Sequence, residues 1–251
     1  MIDRTTSTIK DIVLDDFRTA AVFEKYSLDF CCRGGITIDQ ACKERGVRAE
    51  SVNAELDALP PKDPSRNVQP IPDEAMSPDS LIDLIVRIHH SYVRSAIPVI
   101  YAHTQKVAKV HGANHPEVVE IARHFAAVAE EMTQHMQKEE LMLFPYIKHI
   151  LSASRTGTTI SAPPFGSAQN PIRMMEAEHA AAGDAMYSIR SLSSGYTPPD
   201  DACTTYRVAY QELQEFELDL HRHVHLENNI LFPAAIRLEE SLLMPAPQQT
   251  A

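Results

Sequence analysis

Basic charge falls short in this chain: 23 Lys and Arg stand against 34 Asp and Glu, a net charge of −11 over 251 residues. Nonspecific binding to nucleic acid or an anionic membrane needs a basic surface, so neither is expected as a partner. No apolar run approaches the ~20 residues that span a bilayer, and Met1-Ile-Asp-Arg-Thr-Thr-Ser7 lacks the pattern of a signal peptide. A cytoplasmic protein is the expectation. Cysteine is scarce too. Four in a chain of this length are no disulfide framework, and a reducing compartment keeps them as thiols.

What is present is an internal echo. His135-Met-Gln-Lys-Glu139-Glu-Leu-Met-Leu-Phe-Pro145 recurs 88 residues later (135 to 223) as His223-Val-His-Leu-Glu227-Asn-Asn-Ile-Leu-Phe-Pro233. On a helix, His at i and Glu at i+4 share a face, so each segment aims an imidazole and a carboxylate at one point. Each pair also continues an apolar stripe: Ile121, Phe125, Val128, Met132, His135, Glu139 and Met142 in one, Leu213, Phe216, Leu220, His223, Glu227 and Ile230 in the other. An isolated His-x3-Glu is usually a surface pair. On a buried seam without Lys or Arg, however, a carboxylate must be otherwise paired or bound to metal. Two such helices facing one another would hold two metals.

Two more helices carry single seam histidines. His89 follows Ile82 and Ile85 and precedes Tyr92, Ala96 and Val99; His179 lies among Ile172, Met175, Ala182, Met186 and Ile189. His90 falls on a mostly polar face with Asp79, Asp83 and Val86. In an up-down bundle, ligands of one layer lie equally far either side of each turn. The midpoint of His89 and His135 is residue 112, in a His-Gly-Ala-Asn-His-Pro turn. Those of Glu139 with His179 and of His179 with His223 are residues 159 and 201, in or beside Pro- and Gly-containing turns. Cap and proline signals give helices near 79–110, 116–151, 171–194 and 199–241, the first kinked at Pro98.

Six prolines between Pro60 and Pro78 read as an extended tether that divides a small helical domain, residues 1–59, from the bundle, residues 79–251. The small domain reads as helices from Ser7 to Tyr26, from a Thr37-Ile-Asp-Gln40 capping box to Arg45, and from Ala49 to Leu59. Its eight basic against eleven acidic residues argue against a DNA reader. Cys31 and Cys32 precede two glycines. They are either buried small hydrophobes or thiols placed for exchange, with Arg33 favouring thiolate. Cys42 and Cys203 carry no pattern and read as structural.

Taken together, Cys31-Cys32, the tether, His89, His135-x3-Glu139, His179 after Glu176-Ala-Glu178, and His223-x3-Glu227-Asn-Asn resemble the RIC (repair of iron centres) proteins of ScdA, YtfE and NorA type. The resemblance implies an all-α chain, a hemerythrin-like four-helix bundle with a non-haem di-iron centre behind a ScdA-type domain. It also implies restoration of iron–sulfur clusters damaged by nitrosative or oxidative stress. Carried over residue by residue, the ligands are His89, His135, Glu139, His179, His223 and Glu227. Four imidazoles and two carboxylates exceed one tetrahedral zinc and suit two ions of larger coordination number, oxo- or hydroxo-bridged. Oxygen-carrying hemerythrins add a histidine where Gly183 stands, and place the second carboxylate five rather than four residues after its histidine. Both departures point away from an oxygen carrier.

Three readings are open: iron donation to damaged iron–sulfur proteins, with Cys31 and Cys32 as transfer groups; nitric oxide buffering or sensing; and nitric oxide reduction at the irons. The non-enzymatic readings are favoured over the third. Monomer and homodimer both stay open. His221 and His225 lie about 100° or more from the His223 seam in a regular helix and read first as solvated surface, with support of the ligands from behind as the alternative.

Overall fold

Thr8 and Thr37 open helices by the same reciprocal capping box, each side chain accepting from the N3 amide while the N3 side chain accepts from the cap. They also meet each other in a short antiparallel bridge. In this computed structural model, which describes residues 2–60 and 76–243, that bridge ties together a domain of four short helices: α1 (Ile9–Asp15), α2 (Arg18–Lys25), α3 (Ile38–Arg45) and α4 (Ala49–Asp57). The single helix expected from Ser7 to Tyr26 is broken at Asp16. Its backbone is extended there, and its carboxylate accepts from the Arg18 amide at 3.2 Å, the local side-chain bond by which Asp competes with a continuing helix. Gly46 ends α3 at φ +67°, the left-handed position glycine takes without strain.

The second part is built from α5 (Pro78–Ile85), α6 (Ser91–His111), α7 (Glu117–Lys138), α8 (Phe144–Thr156), α9 (Gln169–Leu192), α10 (Thr204–Leu226) and α11 (Phe232–Leu243). Three π-turns, Val86–His90, Glu139–Leu143 and Glu227–Leu231, join α5 to α6, α7 to α8 and α10 to α11, so each joined pair runs on as one long rod. The rods and α9 pack in the order α6, α7, α9, α10 around one axis, an up-down four-helix bundle. The expected starts near 171 and 199 move: α9 begins at Gln169, α10 at Thr204.

In each π-turn an amide bonds five residues back, as Ser91 N–H to Val86 O, Phe144 N–H to Glu139 O and Phe232 N–H to Glu227 O. The extra residue per turn rotates everything beyond it. The buried stripe therefore advances by one position, from the expected Val99 (46% exposed) to Ile100 (1%), and from Met142 (48%) to Leu143 (1%). Two of the turns have a visible cause. Pro145 and Pro233 have no N–H for the fourth preceding carbonyl and would clash with it, and widening the turn before them relieves both.

The core is in two parts. One joins Phe125, Met132, Met136, Met186, Leu220 and Val224 of the bundle to Ile9, Phe23, Phe30 and Ile38 of the first domain. The other gathers Ile82, Ile85, Phe144, Ile172, Met175 and Phe232 at the opposite end. The tether read from 60 to 78 lies, between 61 and 75, outside the described residues. The few shared contacts expected with it are not what the structure has. The first domain docks on α9 and α10. Arg33 pairs with Asp184 at 2.8 Å, and the Arg45 guanidinium lies 4.0 Å from the Tyr187 ring centroid. Arg190, held by the buried Glu217, also donates to the Glu24 carbonyl at 3.4 Å. Among the described residues no helix is long and apolar enough to cross a membrane.

Candidate metal centre

Between the two apolar layers, the rods and α9 direct six polar side chains inward: His90, His135, Glu139, His179, His223 and Glu227, all 0–1% exposed. They form two groups of four that share both carboxylates: His90 and His223 with Glu139 and Glu227, and His135 and His179 with the same pair. The Nε2 atoms of His90 and His223 are 3.1 Å apart and those of His135 and His179 are 2.9 Å apart. Glu227 reaches His223 through Oε1 at 3.0 Å and His179 through Oε2 at 3.1 Å. Glu139 Oε2 lies 3.3 Å from both His90 and His135.

The sequence places His89 here, and the structure places His90. Residue 90 closes the first π-turn, so the stripe that enters through Ile82 and Ile85 delivers the next histidine to the seam. His89 turns aside, with Nδ1 at 2.9 Å from Asp219 and its ring stacked 5.6 Å from that of His223. Nothing in Val-Arg-Ile-His-His announces this turn as Pro145 and Pro233 announce the others. The signal available was the pair of adjacent histidines.

Outer partners set the imidazoles. Nδ1 of His90 is 2.6 Å from Glu140, which Arg94 also holds; Nδ1 of His135 is 2.8 Å from Glu178, paired with Lys138; Nδ1 of His179 is 2.8 Å from Asn228 Oδ1. A carboxylate or amide oxygen only accepts, so Nδ1 keeps its proton and Nε2, which faces the cluster, is the atom a metal would take once any proton there is displaced. His223 is the exception: its Nδ1 is buried with no hydrogen-bond partner.

The donor set fits a pair of metal ions. Both oxygens of Glu139 and Oε2 of Glu227 are buried without a well-directed hydrogen bond, a costly state for a carboxylate unless a cation takes the lone pairs. Two imidazole nitrogens set at right angles on one ion at ~2.1 Å are ~3 Å apart, the spacing of each histidine pair. The field demands positive charge as well. Burial alone would keep His90 neutral, but Glu139 and Glu227 outweigh it and push its pKa up to about 10; Glu139, with Glu227 and Glu178, likewise raises His135 to about 9 against burial. Glu227 is held well below the usual carboxylate range, since His223, His179 and His90 outweigh its burial. Metal binding would displace those protons.

On the α10 side the first domain covers the layer. His225, expected on a solvated face, is 1% exposed. Its ring lies 5.7 Å from those of Phe17 and Phe30, and its Nδ1 accepts from Asn229 at 2.9 Å. His221 lies 6.0 Å from the Phe30 ring and 3.7 Å from Glu24. Burial pushes His225 down to about 4. A folded pKa below the unfolded ~6.5 means that its contribution is complete above pH 6.5 and is lost as pH falls toward 4, on the order of 3 kcal/mol in all. The Tm of wild type should therefore fall more steeply than that of His225→Gln between those pH values; parallel slopes would contradict the assignment.

Cys31 and Cys32 sit at this interface, on the carboxylate Oδ1 of Asp29, which accepts both their amides at 2.9 and 2.8 Å. Arg33 does not activate them, being paired with Asp184. The adjacent Cys32, burial and Asp29 instead push the Cys31 thiol well up. Asn228 accepts from His179 through its oxygen, and its Nδ2 donates to the Cys31 carbonyl at 3.4 Å, so one side chain joins the dicysteine loop to the cluster. Gly183, where oxygen carriers place an added histidine, faces that loop: a Cβ there would lie 4.0 Å from Cys32 Sγ.

Comparison with known proteins agrees with this architecture. The Hemerythrin HHE cation binding domain family matches residues 81–235, and the Domain of Unknown function (DUF542) family matches residues 5–60. The Iron-sulfur cluster repair protein YtfE of Yersinia pestis (strain Pestoides F) is 35% identical over 225 residues, 88% of this chain and 93% of that protein; the protein of the same name from Yersinia pseudotuberculosis serotype O:1b (strain IP 31758) matches to the same extent. With a helical cation-binding bundle behind a ScdA-type domain, and likeness running through both, the chain belongs to the RIC family of YtfE type.

Proposed function

We propose that the protein holds two non-haem irons in this layer and serves to restore damaged iron–sulfur clusters, with iron as the cargo it donates. The observation that carries the reading is that both carboxylates are shared by two groups of histidines. The name of the Yersinia relatives supports the repair role. When bound, the irons supply redox chemistry and an exchangeable store of metal. Glu140, Glu178 and Asn228 keep three imidazoles in the ligating tautomer. His223 has no such anchor, which makes the His90/His223 position the one that yields first. The apolar layers above and below keep water from the shared carboxylates.

The test is to incubate iron-loaded protein with a nitric-oxide-damaged cluster enzyme and compare recovered activity with that given by the same amount of free iron. Recovery well above free iron is expected. Nitric oxide uptake without recovery would replace donation by buffering, and multiple-turnover formation of nitrous oxide would make the protein a reductase. Cys31 and Cys32, partly open to solvent through Cys32, are proposed to exchange with the client. The double variant Cys31→Ser, Cys32→Ser should keep its iron and lose most of its repair activity; full activity would make these thiols packing residues only.

A further inference from the structure

The dicysteine loop carries a second constellation of donors, apart from the six-residue layer. Cys31 Sγ lies 3.7 Å from Cys32 Sγ and 3.3 Å from Asp29 Oδ1. The three residues can bring their donor atoms together around one point. Sulfurs bound to one ion at ~2.3 Å with a tetrahedral angle are ~3.8 Å apart, close to the spacing already present. The loop is set in that shape without an ion, because Asp29 gathers both cysteine amides. Beside it is a cleft of about 290 Å³, lined by both cysteines, Lys10, Glu176, Asn228 and Asn229. Gly34 lets the loop close on itself, since a Cβ there would lie 2.3 Å from the Phe30 carbonyl oxygen, and Gly183 presents no side chain toward Cys32 Sγ.

We infer that Asp29, Cys31 and Cys32 form a site for a thiophilic cation, bound by two thiolates and one carboxylate with a remaining position open to the cleft. Two sulfur donors select soft or borderline ions over calcium or magnesium. An incomplete protein ligand set suits a site that passes its ion on, since structural sites close all four positions. Binding converts the two thiols to thiolates and releases their two protons to solvent, with no change of oxidation state. The site uses none of the side chains of the iron layer, and although Cys31 and Cys32 also enter the repair reading, retained cadmium is read apart from repair activity.

The test uses the full chain, iron-loaded, with cadmium alone as the probe, and reads retained cadmium and iron, protons released, and alkylation of each cysteine by peptide mass spectrometry. The expected result is one further cadmium per chain without loss of iron, about two protons released per ion, and joint protection of Cys31 and Cys32 while Cys203 still alkylates. Cys31→Ser and Cys32→Ser should each weaken cadmium binding by more than ~100-fold, beyond the loss of an outer partner, and Cys203→Ser should not. Protection in wild type is read without any variant, so a misfolded serine variant does not spare the proposal. No additional cadmium, unprotected Cys31 and Cys32, or binding unchanged in both folded serine variants overturns it. Loss of iron from the bundle in these samples bears instead on the di-iron reading.

Discussion

Glu139→Ala is expected to empty both metal positions at once, because this carboxylate belongs to both groups of four. His90→Ala is expected to weaken mainly the position it shares with His223, by more than ~100-fold, since a lost ligand exceeds the 10–100-fold typical of a lost outer partner. His89→Ala is the decisive companion. It removes a ring that stacks on His223 and bonds Asp219, yet no member of the cluster, and metal content should stay near wild type. Iron per chain by elemental analysis after desalting reads all three. If His89→Ala loses metal and His90→Ala keeps it, the π-turn register is wrong and the regular-helix face is right.

Removing the first domain and its tether, residues 1–75, is expected to lower the stability of the bundle sharply, although the domain is short. Its Phe17 and Phe30 cover His225, and the apolar core runs from Ile9 and Phe23 into Val224, Leu220 and Met186. Uncovering even a few such side chains, at ~2 kcal/mol each, corresponds to a drop of about 10 °C or more in Tm for a chain of this size. Arg190 and Glu217 would lose the Glu24 carbonyl that completes their arrangement. The measurement is the thermal midpoint of residues 76–251 against the full chain, both iron-free. Equal midpoints would show that the first domain rides on its tether without lending stability.

The ligand layer shows what sequence periodicity can and cannot carry. The His-x3-Glu echo places two carboxylates and two histidines on buried stripes, and Glu139, Glu227, His135 and His223 all lie in the cluster because the π-turns begin at the carboxylates and disturb only the residues beyond them. Past each π-turn a strict helical period fails by one residue, as Met142 and Ile230 yield to Leu143 and Leu231. The Leu-Phe-Pro endings hold that information, for a proline directly after the apolar pair is a reason to widen the turn before it. Val86–His90 holds no such reason in its own residues, so the choice between His89 and His90 falls to tertiary packing. His225 was illegible for another cause. A helix read alone assigns its off-seam face to water, and here Phe17 and Phe30, from the far end of the sequence, cover it. The pairing of Arg33 with Asp184 is likewise long-range, which is why its charge could not be assigned to the neighbouring thiols from sequence.

Two irons sharing Glu139 and Glu227 within one four-helix layer, as proposed, would be coupled through those ligands. Mössbauer spectroscopy of the oxidised, ⁵⁷Fe-loaded chain, with iron and protein quantified on the same sample, tests this most directly. Two irons per chain are expected, magnetically coupled through their shared ligands into a diamagnetic ground state. A single iron per chain, or two whose spectra show isolated paramagnetic ions, would contradict it.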